Sequence, residues 1–248
     1  MITFRSFLTV LAMVLWPLQG LADTVWVKLP RADRTSIDAL LARPKGAGPF
    51  PAILYQHGTL VRERGHRGAA EAGYDLGAIL DDFSGLGYMA LAPVRQTPAG
   101  CCNGDAAVAE GVALSKAGAR YLRRRSDADP GKLCLIGYSE GAMVALWSLI
   151  EDDDFAAAVV ISPATMGGQR ARAETRGARR LVRSGRIQAI KEHFAIIVGG
   201  SDTTRVRRAV KRYAVQSGAR AISFRGDHRS FHKPRKDVDD VVLRTCPR

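Results

Sequence analysis

Residues 132–142 read Lys132-Leu133-Cys134-Leu135-Ile136-Gly137-Tyr138-Ser139-Glu140-Gly141-Ala142. The run Leu133 to Ile136 is short, apolar and without alternation, the pattern of a strand covered on both faces. From Ala142 to Ile150 an apolar pattern continues too far for a strand and predicts a helix. Between them stands Gly-x-Ser-x-Gly, a strand-to-helix turn tight enough to lift the Ser139 hydroxyl out of the sheet. Gly137 and Gly141 have a steric purpose there, since strand, turn and helix must pack closely while Ser139 takes a strained backbone conformation. Five residues alone are a weak signal. The strand before them and the helix after them give the pattern its weight.

Working outward, the same alternation recurs. Short β-branched runs predict strands at Val25–Leu29, Ser36–Ala42, Pro51–Tyr55, Tyr88–Ala92, Ala156–Ile161, Phe194–Val198 and Ala221–Phe224. Helical patterns predict helices over about 68–83, 105–124, 203–217 and 236–244, and Asp129-Pro130-Gly131 reads as a turn into the central strand. The first two strands should form an antiparallel edge to a mostly parallel sheet with helices on both faces. Residues 23–248 fit one α/β domain.

At the N-terminus a single charge, Arg5, precedes the apolar run Phe7–Trp16, which Pro17 and Gly20 break. This is the layout of a secretory signal peptide over residues 1–22, with Gly20 and Ala22 at the small-residue positions before cleavage. The run is too short for a stable membrane anchor, which needs about 20 apolar residues. Export to a periplasm or to the medium is the expectation. Four cysteines in an oxidising compartment imply at least one disulfide. Cys134 reads as a buried thiol and Cys246 as the partner of Cys101 or Cys102, because a bond between adjacent residues is strained. No Cys-x-x-Cys or clustered Cys/His spacing is present to support a redox or metal role for the cysteines.

The net charge is +13, with basic residues crowded into 170–186 and 205–212. Such a charge favours anionic partners. Without interleaved aromatic residues it does not point to nucleic acid.

Serine is a poor nucleophile until a base takes its proton and a carboxylate holds that base in the right tautomer. On a turn of this kind the chain order should be serine, acid, histidine. Asp202 follows the strand Phe194–Val198, and His228 follows Ala221–Phe224, both at the carboxyl ends of strands where open α/β sheets form their sites. Asp202 could alternatively cap the helix that follows it. His232 competes with His228 but falls toward the closing helix; Asp227 reads as solvated, and His66 and His193 as surface or boundary residues. Two backbone N–H groups must hold the oxyanion. One should be that of Glu140. The other should come from Gln56-His57-Gly58-Thr59-Leu60, with Thr59 preferred, Leu60 as fallback, and His57 shaping the turn.

Together these residues resemble the α/β-hydrolase superfamily, and within it the dienelactone hydrolase-like members. The resemblance rests on Arg43-Pro44 through Gly48-Pro49-Phe50-Pro51 to Tyr55-Gln56-His57-Gly58, on Gly87-Tyr88, and on the elbow, Asp202 and His228 in order. It spans nearly all of residues 23–248, with Ser139 where the namesake enzymes use cysteine. It implies an α/β-hydrolase fold and cleavage of an ester or lactone through an acyl-enzyme, without cofactor or metal. The basic insert 164–191 would roof the pocket, and its arginines would favour an anionic substrate. Two other readings remain open: a binding or accessory protein that keeps the fold without catalysis, and a peptidase on the same scaffold.

Overall fold

The computed structural model describes residues 24–31, 33–95, 104–151, 155–163, 183 and 193–248. Its strands are β1 (Val25–Pro30), β2 (Ser36–Ala42), β3 (Phe50–Gln56), β4 (Met89–Pro93), β5 (Ala128–Tyr138), β6 (Ala157–Ile161), β7 (Phe194–Gly199) and β8 (Arg220–Phe224). Its helices are α1 (Thr59–Glu71), α2 (Leu76–Gly85), α3 (Gly104–Arg123), α4 (Glu140–Glu151), α5 (Thr204–Ser217) and α6 (Lys236–Thr245), with a 3-10 turn at His228–Phe231.

Successive side chains of a strand point to opposite faces. In β3 and β5, Ala52, Leu54, Leu133 and Leu135 enter one core cluster, while Ile53, Tyr55, Cys134 and Ile136 enter another. All eight are buried, so both faces need helices. The first face is covered by α3, α4 and α5 through residues such as Leu122, Leu146 and Val210. The second is covered by α2 and α6 through Ile79, Leu80, Phe83, Val238, Val241 and Val242. Each fully buried aliphatic side chain stabilises such a layer by about 1.5–3 kcal/mol.

The sheet order is β1-β2-β4-β3-β5-β6-β7-β8. β1 and β2 form the antiparallel edge, and β4, β3, β5, β6, β7 and β8 run parallel. The parallel strands therefore end along one side of the sheet, which brings residues 56–60, 139, 202 and 228 to the same edge. No helix among the described residues is long and apolar enough to cross a membrane.

Three expectations change. The single helix over 68–83 is two helices, because Gly73 takes φ 87° and Asp75 then caps α2, its Oδ1 accepting from the N–H of Ala78 at 2.9 Å. Asp129-Pro130-Gly131 is an irregularity within β5: Phe50 pairs with Ala128, yet Ala52 pairs with Leu133. Cys134 is no free thiol but is bonded to Cys246, with Cα atoms 5.5 Å apart. Burial did not isolate Cys134, since the end of α6 packs on the face to which Cys134 points. Cys101 and Cys102, residues 1–22, and all of the insert 164–191 but Arg183 lie outside the described residues.

Candidate active site

The turn after β5 packs as tightly as its glycines require. A Cβ on Gly141 would come within 1.9 Å of the Gln56 carbonyl oxygen, and one on Gly137 within 2.3 Å of the Gly141 carbonyl oxygen. Ser139 itself sits at φ 56°, a conformation costly for a residue with a side chain and found mostly where function requires it. Its N–H donates to the Ile161 carbonyl at 2.9 Å, locking the turn to the neighbouring strand.

Asp202 follows β7 and His228 follows β8, and the structure brings both to Ser139. His228 Nε2 lies 2.9 Å from Ser139 Oγ, and His228 Nδ1 lies 2.9 Å from Asp202 Oδ2. A carboxylate only accepts, so Nδ1 carries the proton and Nε2 is left to accept from the serine hydroxyl. Burial alone would raise the Asp202 pKa; the hydrogen bond from His228 and its charge outweigh burial and hold it below the usual 3.8. The other carboxylate oxygen, Oδ1, accepts from the Thr203 N–H at 2.6 Å. Thr203, not Asp202, caps α5, through its Oγ1 and the Val206 N–H. A hydroxyl there does the capping and leaves the aspartate for His228.

The His228 turn is held from both ends. Asp227 is exposed, but it does more than face water: its carboxylate accepts from the Ser230 N–H at 3.0 Å, and the Ser230 hydroxyl accepts from the Asp227 N–H. Tyr138 Oη donates to the His228 carbonyl at 2.8 Å. His232 lies before α6 rather than on it, stacked on Tyr74 with ring centres 4.8 Å apart. Its burial, with the neighbouring His228 and Arg229 charges, lowers its pKa below 6.5. His66 meets Trp26 edge-on from α1, and His193 Nδ1 bonds the Thr245 carbonyl.

Thr59 and Glu140 each open a helix, α1 and α4, a position whose N–H has no acceptor four residues back in its own helix. Gly58 brings the loop against the elbow, and a Cβ there would stand 3.2 Å from that of Ser139. His57 is fully buried; its Nε2 accepts from the Arg95 N–H at 2.9 Å and its Nδ1 faces the Gly58 carbonyl at 3.0 Å. Burial first, and then the Arg95 charge, keep its pKa well below 6.5. Leu60 lines the cleft beside Ser139 and His228, a space of about 450 Å³.

Sequence reading passed over two buried arginines. Arg95 Nη1 and Arg62 Nε both donate to Glu140 Oε1, at 2.9 and 2.8 Å, and Thr59 Oγ1 donates to Oε2 at 3.2 Å. Arg95 stands two residues past the carboxyl end of β4, so the strand-end rule that selected Asp202 and His228 would have reached it. Arg62 lies within α1 and offers no such signal.

No protein-family model matches the sequence, and no curated protein does. Among solved structures the chain is similar to a hypothetical protein of Pseudomonas aeruginosa, with a TM-score of 0.63 and 12% identity over 97% of this chain and 98% of that one. It is similar to the esterase Pf2001 of Pyrococcus furiosus at a TM-score of 0.63 and 16% identity, over 91% of this chain and 94% of that one. The acylaminoacyl peptidase of Pyrococcus horikoshii matches at a TM-score of 0.63 and 14% identity, over 91% of this chain and 42% of that one. With the mostly parallel eight-stranded sheet, these likenesses define the class of structure: the chain has an α/β-hydrolase fold.

Proposed function

We propose that the protein is a serine hydrolase of the dienelactone hydrolase-like kind, cleaving a carboxylic ester or lactone through an acyl-enzyme on Ser139. One observation carries this reading: the unbroken line from Asp202 through His228 to Ser139, with both links at 2.9 Å. His228 Nε2 takes the Ser139 proton as Oγ attacks the carbonyl carbon. The negative oxygen of the tetrahedral intermediate is held by the N–H groups of Thr59 and Glu140. His228 then gives its proton to the leaving alcohol. Water, deprotonated by the same nitrogen, cleaves the acyl-enzyme and releases the acid. Asp202 orients His228 and balances the imidazolium throughout.

The substrate in this reading is a small ester, and an anionic group on it is favoured. Arg64 and Arg229, both exposed, line the cleft that holds Ser139 and outweigh the Glu63 carboxylate beside them, a setting that favours negative charge. Residues 1–22 serve as an export signal, with cleavage after Ala22. The esterase likenesses above are consistent with this chemistry without specifying a substrate.

The test is intact mass after treatment with a fluorophosphonate probe. One adduct on the wild-type protein and none on Ser139→Ala is expected. Folded wild-type protein that takes no adduct would favour a binding role on the same fold.

A further inference from the structure

The residue after the nucleophile is a glutamate, and its side chain does not reach water: Glu140 is 4% exposed. A buried carboxylate is costly unless it is paired and hydrogen-bonded. Here Arg95, 1% exposed, and Arg62, 4% exposed, both donate to Oε1. The remaining oxygen accepts from Thr59 Oγ1. Arg62 also meets Glu63, which is largely solvated. Among the described residues, two guanidinium groups therefore meet one buried carboxylate.

Two of these partners are tied to the loop opposite the elbow. Arg95 reaches the His57 carbonyl through its guanidinium and the His57 ring through its N–H, while Thr59 is tied to Glu140 side chain to side chain. Stability alone gives little reason for such a group, because apolar replacements of a buried ion pair are often neutral or stabilising. Geometry gives a better one. The two residues that open α1 and α4 beside Ser139 are joined through this carboxylate, and an unbalanced Glu140 charge next to the nucleophile would oppose a negative oxygen forming there.

We propose that Arg95 and Arg62 are positioning residues: acting through the Glu140 carboxylate, they set the spacing of the Thr59 and Glu140 N–H groups and offset the glutamate's charge where the oxyanion forms. The inference rests on the serine hydrolase reading. It goes beyond it in assigning the rate of the chemical step to side chains that touch no substrate.

The experiment measures kcat and KM separately for a short neutral p-nitrophenyl ester, with thermal unfolding of each protein. Wild type and Ser139→Ala come first; wild-type hydrolysis that survives Ser139→Ala, or no wild-type hydrolysis, overturns the reading itself and this inference with it. With a Ser139-dependent wild type, Arg95→Met should lower kcat about 100-fold, the scale of one lost oxyanion donor, with KM within about 3-fold. Arg95→Lys should recover only part, since an ammonium lacks the fixed fork whose two nitrogens reach Glu140 and the His57 carbonyl separately. Arg95→Met with Glu140→Met removes the carboxylate with one of its guanidinium groups and leaves Arg62 facing Glu63; its kcat should stay about 30-fold or more below wild type. A folded double variant with kcat within about 3-fold of wild type would reduce the cluster to a structural role. If neither variant folds, Thr59→Val, which cuts only the Thr59–Glu140 link, decides. A kcat loss of about 5-fold at unchanged melting temperature is expected, and unchanged kcat overturns the proposal.

Discussion

His57 and His228 each stand just past the end of a strand, β3 and β8, and they differ in what their ring nitrogens meet. His57 is wholly buried, and both of its nitrogens are occupied by backbone groups, of Arg95 and Gly58. Those partners fix one tautomer. His228 has a carboxylate on one side, a hydroxyl on the other, and a side chain 31% exposed. A histidine between backbone groups is a strut. One between a carboxylate and a hydroxyl can carry a proton.

The deepest effects should separate the two. His228→Ala should lower kcat/KM for a small ester about 10⁴-fold or more, as Ser139→Ala should, because the two act as a unit. His57→Leu should cost no more than about 100-fold. An equal loss at both histidines, measured by ester hydrolysis, would break the comparison.

The supports of the two sites also differ. The His57 loop is gripped by buried Arg95, whereas the His228 turn leads into α6, whose end is bonded through Cys246 to Cys134 on the strand that carries Ser139. That bond closes a loop of 112 residues, worth about 4–5 kcal/mol by chain entropy. Cys134→Ser with Cys246→Ser should lower unfolding free energy in guanidinium by about 4 kcal/mol. Hydrogen exchange should quicken in 228–246 before it does in 52–60; the reverse order would place the weaker support at His57.

His57→Leu should also cost stability, about 1–3 kcal/mol near pH 7.5, by leaving the buried Arg95 N–H without its acceptor. The gap should narrow toward pH 5. In the wild type the folded state keeps His57 neutral while the unfolded chain takes up a proton near 6.5, so wild-type stability falls as pH drops through that value. Leucine has no such dependence. Denaturant melts at the two pH values check it, and a constant gap would mean that His57 titrates normally.

The smallest effect lies on α6, beyond the His228 turn. Burial, and then Asp82 facing it, raise the Asp239 pKa to about 7. The folded state thus keeps a proton that the unfolded chain loses above 3.8, and this contribution to stability disappears as pH rises through about 7. Asp239→Asn should therefore stabilise by about 1 kcal/mol at pH 8, once screening at this half-buried site is allowed for, and leave stability near pH 4 unchanged. A thermal melt at each pH is sufficient to test the sign.

Much of this comparison was readable before any fold was known, because its signals are local. Leu133 to Ile136 announces a covered strand, Gly137 and Gly141 mark a turn that only glycine fits, and Asp202 and His228 each stand four residues past an apolar run. Other features were left open or misread where two local signals competed. Thr203 and Asp202 are both good caps, and only the position of His228 shows which one is otherwise engaged. Gly73 ended a helix that the apolar pattern carried through to Phe83.

Taken alone, the sequence determined the succession of strands, the elbow with Ser139 at its tip, and the candidates Asp202 and His228, since periodicity, glycine sterics and strand-end placement all act over a few residues. Tertiary structure alone decided the Cys134–Cys246 bond and the group of Arg62, Arg95 and Glu140, whose contacts span 78 and 45 residues. A charged residue read in isolation is assigned to water. What pays for its burial is a partner brought from elsewhere in the chain, and no local pattern records which partner the packed sheet will supply.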